Sequence, residues 1–301
     1  MHEALIQGDS RRAIQLITDK GYTSHQKSGE LTDLHVAALF GESEVVASLL
    51  NAGADKNALC MPSRRNKILG RDTTPITPLH CAVGALYPDI AQTLLRAGAS
   101  LGCRGPSSPA YALLMKGFLE LHPEEKPERY ISMLDCLTST GLDINSRITA
   151  EGLTLLHMAC AIPTTLLPLK LCMVKQLLDR GADVLAKSDK GTIPLAMAIS
   201  AIRSEQVVDL MLRMKSREQL DHVDQDGNTL LHLAVRREKG EDMGGKTATL
   251  RRLFAANASI KARNKAGQTA FERAKKWYGQ DWRLEIMPLY YEVALPRLMA
   301  K

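Results

Sequence analysis

The chain has 301 residues, of which 45% are hydrophobic and 4% aromatic, and its 39 Lys and Arg outnumber 33 Asp and Glu, giving a net charge of +6. No apolar run approaches the ~20 residues that a membrane-spanning helix needs, and the six cysteines show neither a C-x-x-C pair nor the His spacing of a metal site. We therefore expect no membrane span, no metal, no disulfide framework and no cofactor, and a cytoplasmic or nuclear location.

Four copies of a Thr-x-Leu-His motif mark a series of helix starts along the chain. Thr favours the N-cap of a helix, where its hydroxyl accepts a hydrogen bond from an unpaired backbone amide. Each motif continues into Ala and other apolar residues, so each predicts a short helix with a buried face. The four copies occupy residues 32–38, 77–82, 154–159 and 229–234, and Thr269 begins a weaker one.

A second set of helices ends about twenty residues after each motif, in Leu-Leu followed by a Gly turn. Gly adopts the left-handed conformation that stops a helix without the penalty that a Cβ brings. The turns follow Leu50, Leu95 and Leu178, with Gly53, Gly98 and Gly181 as the stop residues. Weaker stops are predicted at Gly141 and Asn257, since Asn is the next residue to tolerate that conformation.

These paired helices at a regular period resemble the ankyrin repeat. The long intervals after His80 and His157 predict two degenerate units, beginning at Pro109 and at Ile193. The resemblance implies an all-α solenoid of about eight helix-turn-helix units with β-hairpin-like fingers. It covers nearly the whole chain, as one domain over 1–301 with an N-terminal capping unit (1–31), central repeats (32–264) and a C-terminal capping unit with a tail helix (265–301).

The four motif histidines recur at one repeat position, which favours a structural role over a catalytic or metal-binding one. A neutral imidazole at that position can bond the backbone of its own turn and of the neighbouring unit. The positions are His35, His80, His157 and His232, replaced by Tyr111, Ala196 and Glu272 in the degenerate and last units. In the turns, Asn57 and Asn145 each follow an Asp by two residues and are expected to bond hairpin backbone.

Four insertions depart from a compact repeat, and each is either a functional loop or a disordered one. They span 59–71, 122–129, 162–170 and 238–247. After the last repeat, residues 282–298 are too apolar for a free tail. They are expected to pack back onto the last repeat, or else to contact a second chain or a further domain.

Positive charge is concentrated at the C-terminal end of the chain. Residues 227–301 carry fifteen Lys and Arg against seven Asp and Glu, a net charge of +8, whereas the rest of the chain carries −2. By the resemblance, the residues that follow the Leu-His motif line a concave groove, apolar in the early repeats and basic in the last ones. The predicted partner-binding residues are Leu39, Phe40, Arg236, Arg237, Lys261, Arg263, Lys265, Lys276 and Trp277.

Such a groove is suited to an acidic peptide segment of another protein. The chain is therefore predicted to be a non-catalytic interaction module or adaptor, with its partner and oligomeric state left open. Alternatively these charges are an ordinary solvated surface. Nucleic acid is less favoured because stacking aromatics are scarce, and the other alternative is an enzyme with an unrecognised site in the groove, built from His122 and the acidic cluster 221–226.

Overall fold

The computed structural model describes residues 4, 7–20, 31–60, 75–102, 108–114, 127–200, 205–214, 217–236, 244–278, 286–289, 291–292 and 295–299. These form helices and turns without a β-strand, and they divide into two compact units, 1–155 and 156–301. None of the described helices is both long enough and apolar enough to span a bilayer. The prediction of one domain over 1–301 stays a prediction.

The first unit is a double layer of short helices. Its inner helices α2, α4 and α6 contact one another in order, and its outer helices α3, α5 and α7 do the same, while α1 packs on α3. This is the paired arrangement that the repeated motif predicts. The helices are α1 (Ser10–Lys20), α2 (Asp33–Phe40), α3 (Ser43–Asn51), α4 (Pro78–Gly84), α5 (Pro88–Arg96), α6 (Pro109–Ala112) and α7 (Pro127–Ser139).

The second unit repeats the same plan. Its inner helices α10, α13 and α15 pack side by side, and so do its outer helices α9, α11 and α14. The elements are α8 (Leu155–Ala161), a 3-10 turn (Thr164–Leu166), α9 (Leu167–Asp179), α10 (Pro194–Ser200), α11 (Glu205–Leu212), α12 (Arg217–Leu220), α13 (Leu230–Ala234), α14 (Gly244–Ala255), α15 (Ala270–Tyr278), α16 (Met287–Leu289) and α17 (Leu295–Met299).

The motif Thr and His form a reciprocal cap at the start of the inner helices. At α2, the Thr32 amide donates to His35 Nδ1 at 3.2 Å and the His35 amide donates to Thr32 Oγ1 at 3.3 Å. The same capping box closes the starts of α4 and α13. At α15, Glu272 replaces the imidazole, accepting from the Thr269 amide at 2.9 Å. The predicted Thr N-caps are thus confirmed at four of these helices.

At three of the four motif histidines, the other imidazole nitrogen bonds the backbone of the next repeat. His35 Nε2 lies 3.1 Å from the Ile76 carbonyl, and His232 Nε2 lies 2.8 Å from the Gln268 carbonyl. His157 makes the same bond to Thr192 at 2.9 Å. Because Nδ1 accepts from an amide, the neutral ring carries its proton on Nε2 and donates it to the carbonyl. The structural role predicted for these histidines is confirmed at His35, His157 and His232. His80 accepts from the Thr77 amide at 3.0 Å, but its Nε2 is buried without a hydrogen-bond partner among the described residues.

The fingers between units are turns closed by single bridges. Among the described residues the bridges are Cys60 with Ile76, Val223 with Thr229 and Arg263 with Thr269. Asn57 behaves as predicted: its amide donates to Asp55 Oδ1, and its own Oδ1 accepts from the Ser100 amide at 2.9 Å. That second bond joins one finger to the next, 43 residues along the chain.

The described residues include parts of the insertions and of the tail. Residues 61–71, 122–126 and 238–243 lie outside the described residues, whereas 162–170 forms the 3-10 turn and the start of α9, with Lys170 fully buried. In the tail, Ile286 and Leu289 are buried and Arg251 of α14 pairs with Glu292 at 3.0 Å. The tail therefore packs back onto the second unit.

The cysteines of the inner layer behave as small apolar residues. Cys81 and Cys160 are fully buried and unpaired by disulfides. Burial raises the pKa of the Cys160 thiol to about 12. Burial also raises the pKa of the Cys81 thiol. A protonated, buried thiol is neither a nucleophile nor a metal ligand, so these side chains contribute packing.

Gly41 provides a sharp test of the packing between repeats. It ends α2 with φ of +84°, and a Cβ there would lie 2.7 Å from Cζ of Tyr87. Gly53 has φ of +85° with nothing within 4 Å of a Cβ. We expect Gly53→Ala to cost about 1 kcal/mol of unfolding free energy from the left-handed backbone alone, and Gly41→Ala to cost about 1 to 3 kcal/mol more through overpacking.

Urea unfolding of the two variants measures the difference. Replacing Tyr87 by Ala in the Gly41→Ala background removes the ring that clashes and should bring the cost of the alanine back to that seen at Gly53. Equal midpoints for Gly41→Ala and Gly53→Ala would show that Tyr87 does not restrain this turn.

His80 makes folding stability depend on pH. Burial, with a smaller contribution from neighbouring His35, lowers the pKa of His80 from 6.5 to about 4. Above pH 6.5 the ring is neutral in both states, but between pH 6.5 and 4 only the unfolded chain binds the proton, so stability falls as the pH falls. The loss approaches about 3 kcal/mol at 1.36 kcal/mol per pH unit.

The His80 ring signal in an NMR titration should stay at its neutral position from pH 7.5 down to pH 5. The unfolding free energy of the His80→Gln variant should also fall less than that of wild type over that range, because glutamine does not titrate. A midpoint near pH 6.5 for His80 would refute the burial argument.

Candidate partner-binding surface

The basic residues predicted near the C-terminus lie on α15, on the finger before it and just after α13. These helices pack against each other, and each begins at an N-cap Thr. Seven residues after Thr229 and Thr269 stand Arg236 and Lys276, and both are exposed. Arg236 lies two residues beyond the end of α13 and Lys276 lies on α15. That the two cations line one groove stays a prediction.

Arg273 is a further member of this surface that the sequence analysis missed. It lies on α15 and donates from Nη1 to Oδ1 of Asn228. Partial burial lowers the pKa of Arg273, the nearby charge of Arg236 lowers it further, and Asp224 and Asp226 raise it. Asp224 influences Arg273 more strongly than Arg236 does, so the positive charge of Arg273 is partly balanced by the carboxylates of the preceding finger.

Buried Asn228 holds Arg273 in place. Asn228 is 3% exposed, accepts from Asn264 Nδ2 at 3.0 Å, and donates from its own Nδ2 to Asp224 Oδ2 at 2.9 Å. The Lys265 amide donates to the Asp226 carbonyl at 2.9 Å, joining the same two fingers. These bonds fix the two fingers, and with them the guanidinium of Arg273.

The Asp224 carboxylate stabilises the turn of the same finger. Its Oδ1 accepts from the amides of Asp226 and Asn228 at 2.9 and 2.8 Å, in addition to the Asn228 side-chain bond. The neighbouring His222 is buried, and burial, with Lys187 adding to it and Asp224 opposing it, lowers its pKa. Of the acidic cluster in the enzyme alternative, the Asp224 carboxylate is therefore engaged in forming the finger.

Not every predicted cation contributes equally. Arg263 forms an ion pair with Glu272, with Nη1 2.9 Å from Oε2, so its charge is compensated. Lys261 and Lys265 are exposed. Trp277 belongs to α15, and Arg237 lies outside the described residues. The basic surface is defined here as Arg236, Lys265, Arg273 and Lys276.

The apolar residues predicted for the groove belong to the first unit. Leu39 is only 9% exposed because the inner helices α2 and α4 pack together, whereas Phe40 is 40% exposed. The corresponding Gly84 and Ala85 are also buried. Phe40 is therefore the member of this predicted set that is available for contact.

Removing the Asn228 side chain tests the support of Arg273. We expect Asn228→Ala to destabilise the second unit by about 2 kcal/mol, because buried donors and acceptors lose their partners. Hydrogen exchange at the Lys265 amide should speed up in the same variant, since the fingers would separate. Asn51→Ala, at an exposed position in α3, is the matched control and should change neither quantity; unaltered exchange at Lys265 in Asn228→Ala would contradict the assignment.

Comparison with known proteins gives the fold of the chain. The ankyrin repeat family model matches residues 76–106. The ankyrin repeat domain of Bcl-3, described as a unique member of the IkappaB protein family, aligns with a TM-score of 0.56 and 24% identity over 82% of this chain and 95% of that one. The human ASB11 ankyrin repeat domain aligns with a TM-score of 0.58 and 21% identity over 83% and 96%.

Two longer proteins are similar in sequence. The E3 ubiquitin-protein ligase KEG of Arabidopsis thaliana is 24% identical over 86% of this chain. The nuclear factor NF-kappa-B p105 subunit of Gallus gallus is 26% identical over 77%. The aligned regions make up 18% and 21% of those proteins, so the chain spans about a fifth of the length of each.

Proposed function

We propose that this chain, an ankyrin-repeat protein, binds an acidic segment of a partner protein through the basic surface of its second unit. Ankyrin repeat domains are typically protein-interaction modules. The observation that carries the proposal is the bond that fixes Arg273 of α15 to buried Asn228, with exposed Lys276 on the same helix and exposed Arg236 just after α13. An interaction module, rather than an enzyme, is the function that this arrangement favours.

The two arginines are a source of binding energy for an anion. A carboxylate that reaches both Arg236 and Arg273 gains charge-assisted hydrogen bonds to each of them. Arg273 is held by Asn228 before a ligand arrives, so less side-chain entropy is lost on binding. Preorganisation of this kind distinguishes the site from a set of mobile surface lysines.

The exposed lysines extend the basic surface beyond the arginine pair. Within the described part of the chain, Lys265 and Lys276 have no ion-pair partner. They lie on a finger and on α15, so a partner segment that follows them needs more than one acidic residue. Such charge complementarity chiefly accelerates encounter and makes binding weaken with salt.

Phe40 supports a separate apolar contact on the first unit. It is an exposed aromatic side chain at the end of α2, and buried aromatic anchors dominate the energy of many interfaces. We propose that Phe40 contacts an apolar side chain of a partner protein. Leu39, which is buried, supports α2 instead.

Fluorescence anisotropy with a labelled glutamate-rich peptide of about ten residues tests the basic surface. We expect Arg236→Glu with Lys276→Glu to weaken binding roughly tenfold or more, since each reversal replaces attraction by repulsion. Wild-type affinity should also fall as salt is raised from 50 to 200 mM, roughly the range in which surface charges become screened.

Lys190→Glu is the matched control, because Lys190 is exposed in the finger between α9 and α10. It makes a charge reversal in the same unit away from α13 and α15. If Lys190→Glu weakened the peptide as much as the double variant, net charge rather than a site would explain the binding. Unchanged affinity in the double variant would equally reject the proposal.

A further inference from the structure

A groove of about 390 Å³ lies on the other layer of the second unit, between the outer helices α9 and α11. The volume is in the range of sites that accept a side chain cluster or a small ligand. Both walls belong to helices rather than to loops. The residues that give it its character are Leu171, Cys172 and Lys175 on α9, and Asp209, Leu210 and Arg213 at the C-terminal half of α11 and just beyond it.

Each wall carries a leucine followed one turn later by a cation. On α9 the pair is Leu171 and Lys175, four residues apart. On the other wall it is Leu210 of α11 and Arg213, which follows the helix directly and whose amide donates to the Asp209 carbonyl at 3.2 Å, as in a helical turn. Residues at these spacings lie on the same face of a helix. The groove therefore has an apolar part and a cationic part on both walls.

The leucines of the groove lie outside the buried faces of their helices. The buried face of α9 is made by residues such as Met173, Val174 and Leu177, and that of α11 by Val207, Val208 and Met211. Leu171 and Leu210 are only partly buried. Covering them would remove further apolar surface from water, at about 25 cal/mol per Å².

The net charge of the groove is positive. Asp209, its only acidic lining residue, is compensated by Arg252 of α14, whose Nε lies 2.6 Å from Oδ1. Lys175 and Arg213 are exposed, and neither has an ion-pair partner within the ranges that the structure describes. An occupant must therefore bring both apolar surface and carboxylates.

We propose that this groove binds an acidic amphipathic helix of a partner protein. An aliphatic side chain of that helix packs on Leu171 and Leu210, and a carboxylate one turn away meets Lys175 and Arg213. Helices lie in grooves through apolar residues at such spacings, and the two helical walls repeat the same apolar-to-cationic order that one amphipathic face would match.

The groove and the basic surface lie on different helix layers of the second unit. The basic surface is built on inner helices α13 and α15, whereas the groove is built on outer helices α9 and α11. One chain can therefore hold two acidic segments at once. This second site does not depend on the first, and substitutions in one are expected to leave the other unchanged.

The test uses a fluorescein-labelled peptide of about 15 residues, with leucines at helical spacing on one face and glutamates on the other. Wild type should bind it, and Lys175→Glu with Arg213→Glu should weaken it roughly tenfold or more. Lys190→Glu is again the matched charge control, and Arg236→Glu with Lys276→Glu shows whether the inner surface contributes.

Cys172 gives a readout at the groove itself. Its thiol is partly buried among the lining residues, so a bound helix should slow its reaction with a maleimide several-fold when the product is located by mass spectrometry. The glutamate-rich peptide used for the basic surface has no apolar face and should leave this rate unchanged. The Cys172→Ser variant lacks this thiol, so the maleimide product that disappears in it is the one formed at Cys172.

Three outcomes would overturn the proposal. Equal binding of the amphipathic peptide by wild type and by Lys175→Glu with Arg213→Glu would show that the groove does not hold it. Equal affinity for a peptide with lysine in place of glutamate would remove the charge argument. Concentration-dependent dimers in sedimentation that disappear in the double variant would assign the groove to a second copy of this chain instead.

Discussion

A buried imidazole that must stay neutral is the contact on which the repeat architecture depends. Its Nδ1 accepts from the Thr that opens its own helix, which leaves the proton on Nε2 for the carbonyl of the next repeat. A protonated ring would present a second donor to the Thr amide, and a buried charge without a partner is costly. The register between neighbouring inner helices therefore follows from one tautomer, used again at His157 and His232.

That register also fixes where functional side chains emerge. Aligning the inner helices through their first turns sets which residues of neighbouring repeats correspond, and the corresponding residues Arg236 and Lys276 are both exposed. The last repeat replaces the imidazole with Glu272, which keeps the cap but adds a carboxylate that pairs with Arg263. A change in the scaffold residue thus alters which cation stays uncompensated on the surface.

The sequence predicted the helices, their Thr caps, the left-handed stops and the two degenerate repeats, because each depends on residues within one turn or one repeat. It missed Arg273, whose position depends on Asn228 of the preceding finger, 45 residues earlier. Burial of Leu39 results from packing between repeats, and the groove at Leu171 and Leu210 needs two outer helices side by side. Features that arise from packing between repeats could not be predicted from motifs that lie within one repeat.

The two proposed surfaces recognise negative charge by different means. The basic surface holds Arg273 through Asn228, so its selectivity rests on a guanidinium fixed before binding. The outer groove instead couples Lys175 and Arg213 to partly buried leucines, so it discriminates by requiring apolar and acidic residues at helical spacing. Salt should therefore weaken a ligand of the basic surface more than one of the groove, since screening acts on charge and leaves apolar burial intact.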